Sequence, residues 1–117
     1  MPDITHIEIA GVDGEGLRQF YGKLFGWQIS CREVGGFDYF DVEVSGGPTL
    51  GIRHEPEGRP EIVVYVGVAD LDRSVDEAMA LGGRTRIPPI RHGDIRFALI
   101  EDPEGNPIGL TEKVDGA

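Results

Sequence analysis

The stretch HIEIAGVDGEGLRQFYGKLFGW, residues 6 to 27, is answered 57 positions later by VVYVGVADLDRSVDEAMALGGR, residues 63 to 84. Each opens on alternating apolar residues, passes an aspartate, continues with apolar residues three or four apart, and closes on glycine. The match brings Asp13 onto Asp70, Leu24 onto Leu81 and Gly26 onto Gly83. Alternation is the period of a half-buried strand, and three-to-four spacing is that of a helix with one apolar face. A second alignment, offset by 58, lays Phe37 to Ile52 on Ile95 to Leu110 and pairs Glu43 with Glu101, Gly47 with Gly105 and Gly51 with Gly109. The chain is a duplication, so its fold follows from the fold of one copy.

Each copy reads strand, helix, then three strands. In the first, Ile4 to Ala10 is a strand with Ile7 and Ile9 on one face and His6 and Glu8 on the other. Asp13 is suited to accept from the first N–H groups of a helix, and Leu17, Phe20, Tyr21, Leu24 and Phe25 supply its apolar positions. Gly26 is the stop. Strands are expected at 27–34, 37–44 and 49–54, divided by Gly35-Gly36 and by Gly46-Gly47-Pro48. The second copy repeats this with a strand at 62–68, a cap at Asp70, a helix through Leu71, Val75, Ala78 and Leu81, and strands at 84–87, 95–101 and 107–112. Pro88-Pro89 marks the strand before it as short or as an edge, because proline cannot donate to a ladder. The fold class is α+β: two βαβββ modules, about 4–54 and 62–112, in one domain over residues 1–117.

Composition removes several functions. The 117 residues carry 11 Lys and Arg against 21 Asp and Glu, a net charge of −10, which disfavours nucleic acid and anionic lipid, since both are bound through cations. One cysteine, Cys31, makes no intramolecular disulfide and no zinc knuckle, and it fits a reducing, cytoplasmic setting. The longest apolar run, Ile62 to Ala69, is far short of the ~20 residues of a membrane span, and the first residues do not read as an export signal. Gly11, Gly14, Gly16 and Gly22 lie within a helix-sized segment and do not form a dinucleotide fingerprint.

Two runs, Phe20-Tyr21-Gly22-Lys23-Leu24-Phe25-Gly26-Trp27 and Asp102-Pro103-Glu104-Gly105-Asn106-Pro107-Ile108-Gly109-Leu110, resemble signatures of the vicinal oxygen chelate superfamily, which includes glyoxalase I, bleomycin resistance proteins and extradiol dioxygenases. The resemblance runs from Thr5 to Glu112. It implies tandem βαβββ modules curved into an open, barrel-like sheet with the helices outside, and a homodimer. In metal-dependent relatives a His begins the first strand of each module and a Glu lies in its last strand. Here His6 matches the first position. Gly51, or Leu50 in a slipped register, stands at the second, Val63 at the third and Gly109 at the fourth. A catalytic transition metal takes about three protein ligands, so the expected cofactor is none, with a divalent metal held by an altered site around His6 as the alternative. Alternation makes a non-standard set of His6, Glu8 and Glu43 geometrically conceivable.

The alternating pattern also divides the strands into faces. Ile7, Ile9, Val42, Val44, Leu50, Ile52, Val64, Val66, Val68, Ile108 and Leu110 are expected to cover the helices. The other face holds His6, Glu8, Tyr39, Asp41, Glu43, Arg53, Val63, Tyr65, Phe97, Leu99 and Glu101, a mixture of acids, aromatics and one guanidinium that suits a small-molecule pocket. His6, Glu8 and Glu43 are the catalytic candidates, through proton transfer assisted by a tyrosine. Tyr39, Arg53, Tyr65, Phe97 and Glu101 are the ligand-binding candidates. Three functions remain open: a metal-independent protein that binds a small organic molecule, an altered-metal lyase, isomerase or dioxygenase, and an interaction module whose cavity is filled.

Overall fold

The two capping aspartates start two helices in the computed structural model, which describes residues 2–34 and 36–113. Helix α1 spans Gly14–Phe25; the Asp13 carboxylate accepts from the Gly16 N–H at 3.0 Å, and Gly26 closes the helix in the left-handed region at φ 70°. A side chain at Gly26 would be strained there, which is why glycine stops this helix. Helix α2 spans Leu71–Ala80, with Asp70 accepting from the Arg73 N–H at 3.1 Å. Glu112 adds a second acceptor at this start, taking the Leu71 N–H at 2.8 Å.

Among the described residues eight strands accompany the helices: β1 (Asp3–Gly11), β2 (Ile29–Val34), β3 (Phe37–Val42), β4 (Thr49–His54), β5 (Glu61–Gly67), β6 (Arg84–His92), β7 (Ile95–Glu101) and β8 (Pro107–Lys113). They are distributed over two compact units, residues 6–63 and residues 1–5 with 64–117. In the first, the order is β2-β3-β4-β1, with β1 parallel to β4 from His6↔Thr49 to Gly11↔His54 and the others antiparallel. In the second it is β5-β8-β7-β6, with β5 parallel to β8. The divisions fall inside β1 and β5 and not in the polar linker. The first residues of β1 fold with the second module, where the Thr5 hydroxyl donates to the Tyr65 carbonyl at 3.4 Å.

Both βαβββ modules therefore form as the repeat requires, with local differences. β6 runs on through Pro88-Pro89 to His92, longer than the 84–87 expected. It tolerates the prolines because it is the last strand in its order and its register shifts between Thr85 and Ile87 and again between Ile87 and Ile90. β3 stops at Val42 and β2 starts only at Ile29, so Val44 and Trp27 lie outside the ladder. Of the glycine pair that turns β2 into β3, Gly35 lies outside the described residues.

Each module packs its own core under its own helix. Phe40, Val42 and Ile52 are buried in the first, surrounded by Ile9, Leu17, Tyr21, Trp27, Ile29, Val44 and Leu50. Leu71, Val75, Ala98, Ile100 and Leu110 are buried in the second, surrounded by Val66, Val68, Ala78, Met79 and Ile108. Of the apolar face expected from alternation, Ile9, Val42, Val44, Leu50, Ile52, Val66, Val68, Ile108 and Leu110 take part in these cores, and Ile7 and Val64 are half-buried. The opposite face is less uniformly polar than the sequence suggested, for Val63, Tyr65 and Leu99 are all buried. No helix among the described residues is long and apolar enough to cross a membrane.

Candidate functional site

The pleat of the first module turns Ile9, Phe40, Val42 and Ile52 toward α1, so their neighbours point the other way. The register then decides which of those neighbours meet. His6 lies beside Thr49 and Glu8 beside Gly51 across β1 and β4; Tyr39 lies beside Arg53 and Asp41 beside Gly51 across β3 and β4. Gly51 is thus flanked on both sides. A Cβ there would run into the Tyr39 hydroxyl, and its absence lets the phenol cross β4 and reach β1.

What it reaches is a continuous polar line. The Thr49 hydroxyl lies 2.6 Å from His6 Nδ1, and His6 Nε2 lies 2.8 Å from the Tyr39 hydroxyl. Tyr39 donates to Glu8 Oε2 at 3.0 Å, and Arg53 Nη1 donates to Glu8 Oε1 at 2.6 Å. The guanidinium also pairs with Glu55 at 2.9 Å and Glu61 at 3.4 Å. Glu8 is 6 % exposed, and a carboxylate so buried is sustained by its cation and its hydroxyl donor. Beside the line, Arg32 sits 5.2 Å from the Tyr39 ring centre and pairs with Asp41 at 2.6 Å.

Burial lowers the pKa of His6 below its ordinary 6.5; the negative charges of Glu8 and Asp41 oppose this without overcoming it, and Arg32 adds to it. The imidazole is accordingly neutral at pH 7. The single proton of Tyr39 goes to the Glu8 carboxylate, while each ring nitrogen of His6 donates or accepts according to its tautomer.

Of the residues singled out from the sequence, His6, Glu8, Tyr39 and Arg53 meet in this one group. Glu43 stands apart: it follows the end of β3, is exposed, and is four residues along from Tyr39, about 13 Å at the rise of a strand. Its N–H donates to the Gln28 carbonyl at 2.9 Å, and the residue lines a cleft of about 320 Å³ with Gln28, Ile29, Ser30, Asp41 and Val42. Tyr65, Phe97 and Glu101 belong to the second unit. There the Tyr65 ring occupies the space a side chain at Gly109 would need, Phe97 is half-buried on β7, and Glu101 pairs with Arg86 at 2.8 Å. Sequence reasoning missed Thr49, Glu55, Glu61 and Arg86. The parallel register of β1 and β4 was the signal that would have found Thr49.

The donor set does not fit a metal. Both ring nitrogens of His6 already serve Thr49 and Tyr39, Glu8 is held by Arg53 and Tyr39, and Gly51, Val63 and Gly109 bring no donor side chain. Among the described residues no three of His, Cys, Asp or Glu are grouped as a metal ion requires.

The sequence profile of the glyoxalase-like domain matches residues 6–111. No curated protein sequence matches the chain. Solved structures do. A hypothetical protein from Bacillus halodurans C-125 superposes with a TM-score of 0.74 at 16% identity, over 99% of this chain and 97% of that one. Methylmalonyl-CoA epimerase of Streptomyces coelicolor, in complex with 2-nitronate-propionyl-CoA, gives 0.70 at 18% over 95% and 96%. The Mycobacterium tuberculosis epimerase gives 0.70 at 20% over 96% and 88%. At such identities the likeness is one of fold.

Proposed function

We propose, from the premise that the chain belongs to the glyoxalase-like domain family of the vicinal oxygen chelate superfamily, that it binds a small organic molecule on the polar face of its first module, without a metal. The observation that carries this reading is internal to the molecule. By the repeat, the positions of His6, Glu8, Tyr39, Thr49 and Arg53 are held in the second copy by Val63, Tyr65, Phe97, Pro107 and Thr111. The βαβββ scaffold forms there without the imidazole, the carboxylate or the guanidinium. Burying a charged pair at these positions costs desolvation, and the second copy folds without one there. A preorganised set of polar groups on a sheet face is what ligand recognition needs. Metal independence is supported by the donor set, since a metal at His6 would have to displace Thr49 or Tyr39.

Two measurements test the reading. Thermal unfolding in the presence of organic cations, aldehydes and aromatic acids should yield a compound that raises Tm, because a ligand that binds only the folded state stabilises it. That rise should vanish in Tyr39→Phe. A screen without a hit, or a hit indifferent to Tyr39→Phe and Arg53→Met, counts against the face as the binding site and favours a filled interaction module. Elemental analysis of protein purified without chelator addresses the metal. Stoichiometric zinc, nickel, manganese or iron, lost in His6→Ala, would instead support a lyase, isomerase or dioxygenase with an altered metal site. The homodimer belongs to the same proposal, and light scattering reads it directly.

A further inference from the structure

We propose that Glu8 is a positioning residue that acts through Tyr39 to hold His6 in the Nε2–H tautomer. The sequence made Glu8 a catalytic candidate beside His6, on the same face of β1. The geometry gives it a different part: a hydrogen-bonded line joins Glu8 to His6 through the Tyr39 hydroxyl, at 3.0 Å to Glu8 Oε2 and 2.8 Å to His6 Nε2.

The direction of the line comes from the chemistry of its ends. An ionised carboxylate only accepts, whereas a hydroxyl donates one proton and accepts others. Arg53 donates to Oε1 at 2.6 Å and Tyr39 donates to Oε2 at 3.0 Å, so the one proton of the phenol is committed to the carboxylate. The phenol oxygen can then meet His6 Nε2 only as an acceptor, and Nε2 must carry the imidazole proton. At the far end the Thr49 hydroxyl, 2.6 Å from Nδ1, can donate to a bare nitrogen or accept from a protonated one, so the choice is read from the Tyr39 end. The neutral state of the ring, lowered in pKa by burial, is what allows the choice to be made at all. Gly51 is the remaining requirement, because a side chain there would keep Tyr39 from spanning β4. The consequence is that a ligand on this face meets an imidazole of one fixed polarity. That consequence rests on the proposed binding function. The tautomer itself is read in the ligand-free protein, so the two fail separately.

Long-range proton–nitrogen correlation spectra of the 15N-labelled protein at pH 8 show which ring nitrogen bears the proton. The wild type should show His6 as Nε2–H over Nδ1–H by about ten to one, the preference one net hydrogen bond to the phenol oxygen confers. Tyr39→Phe removes the hydroxyl that links Glu8 to His6 while conserving volume, and Phe97 already stands at the equivalent place in the second copy. It should collapse the preference to a mixture. Thr49→Val, a substitution suited to a strand, should leave Nε2–H dominant. A wild-type His6 protonated at Nδ1, a Tyr39→Phe protein that keeps the wild-type pattern, or a Thr49→Val protein that loses it would each overturn the proposal. The last would pass control to Thr49. Because the wild-type spectrum decides the tautomer alone, a variant that fails to fold does not shelter the claim.

Discussion

Arg53→Met keeps the stem of the side chain and removes the guanidinium that faces Glu8 at 2.6 Å, Glu55 at 2.9 Å and Glu61 at 3.4 Å. Deleting one partner of a buried ion pair costs about 3–5 kcal/mol, since the other charge stays desolvated. Here the Glu8 side chain is 7% exposed but that of Arg53 is 24% exposed, so water screens part of the interaction. A loss of about 2–3 kcal/mol is the expected outcome. With a urea dependence of about 1–3 kcal/mol per molar, the unfolding midpoint should fall by about 1–2 M at unchanged slope, followed by far-ultraviolet circular dichroism. A double-mutant cycle with Glu8→Gln isolates the pair. Once Glu8 is neutral, removing Arg53 should cost about 1–2 kcal/mol less. If Arg53→Met lost under about 0.5 kcal/mol, or if the two substitutions added without coupling, the guanidinium would not be what sustains the buried carboxylate. The line from Arg53 to His6 would then have no anchor.

Other consequences are as direct. Gly51→Ala should destabilise the protein by about 1–3 kcal/mol and abolish the His6–Tyr39 contact in the imidazole spectrum, because the new methyl group meets the Tyr39 hydroxyl. Gly109→Ala, against the Tyr65 ring, should cost a similar amount while leaving the His6 signals in place. His6 should titrate below 6.5 by NMR. Since the folded pKa lies below the unfolded one, its contribution is intact above about pH 6.5 and is lost as pH falls through the folded value; His6→Gln should remove that part of the acid lability. His54→Ala should cost about 1 kcal/mol in urea unfolding, because Nδ1 of His54 accepts the first N–H of α1, from Gly14, at 2.9 Å. A protein as stable as wild type would show water to be an equal partner for that group.

The duplication carries most of what could be read before any coordinates. Asp13 and Asp70 mark the helix starts because a carboxylate beside free N–H groups works over a single turn, and Gly26 ends α1 for an equally local reason. Alternation named the apolar faces of both modules, with Phe40, Ala98 and Ile100 completing them. Legibility fails where an outcome depends on distant residues. Pro88-Pro89 marked β6 as short or as an edge; it is an edge, and two register shifts carry it past the expected 84–87 to His92. Alternation put Glu43 on the face of His6, yet β3 ends one residue before it.

The candidate site shows the same boundary. Residue types and their spacing were enough to establish two βαβββ copies with His6, Glu8, Tyr39 and Arg53 on one face, and the family resemblance added that His6 alone matches a ligand position. Which of these touch depended on how β1 and β3 are registered on β4, which brings together groups 31 and 45 residues apart. The role of Gly51 illustrates it. In the sequence it is a missing carboxylate, and in the folded chain it is the gap through which a tyrosine from one neighbouring strand reaches a histidine and a glutamate on the other. Helix caps and faces are set by backbone geometry within a few residues, so a sequence displays them. A hydrogen-bonded line across three strands exists only once their pairing has fixed the distances.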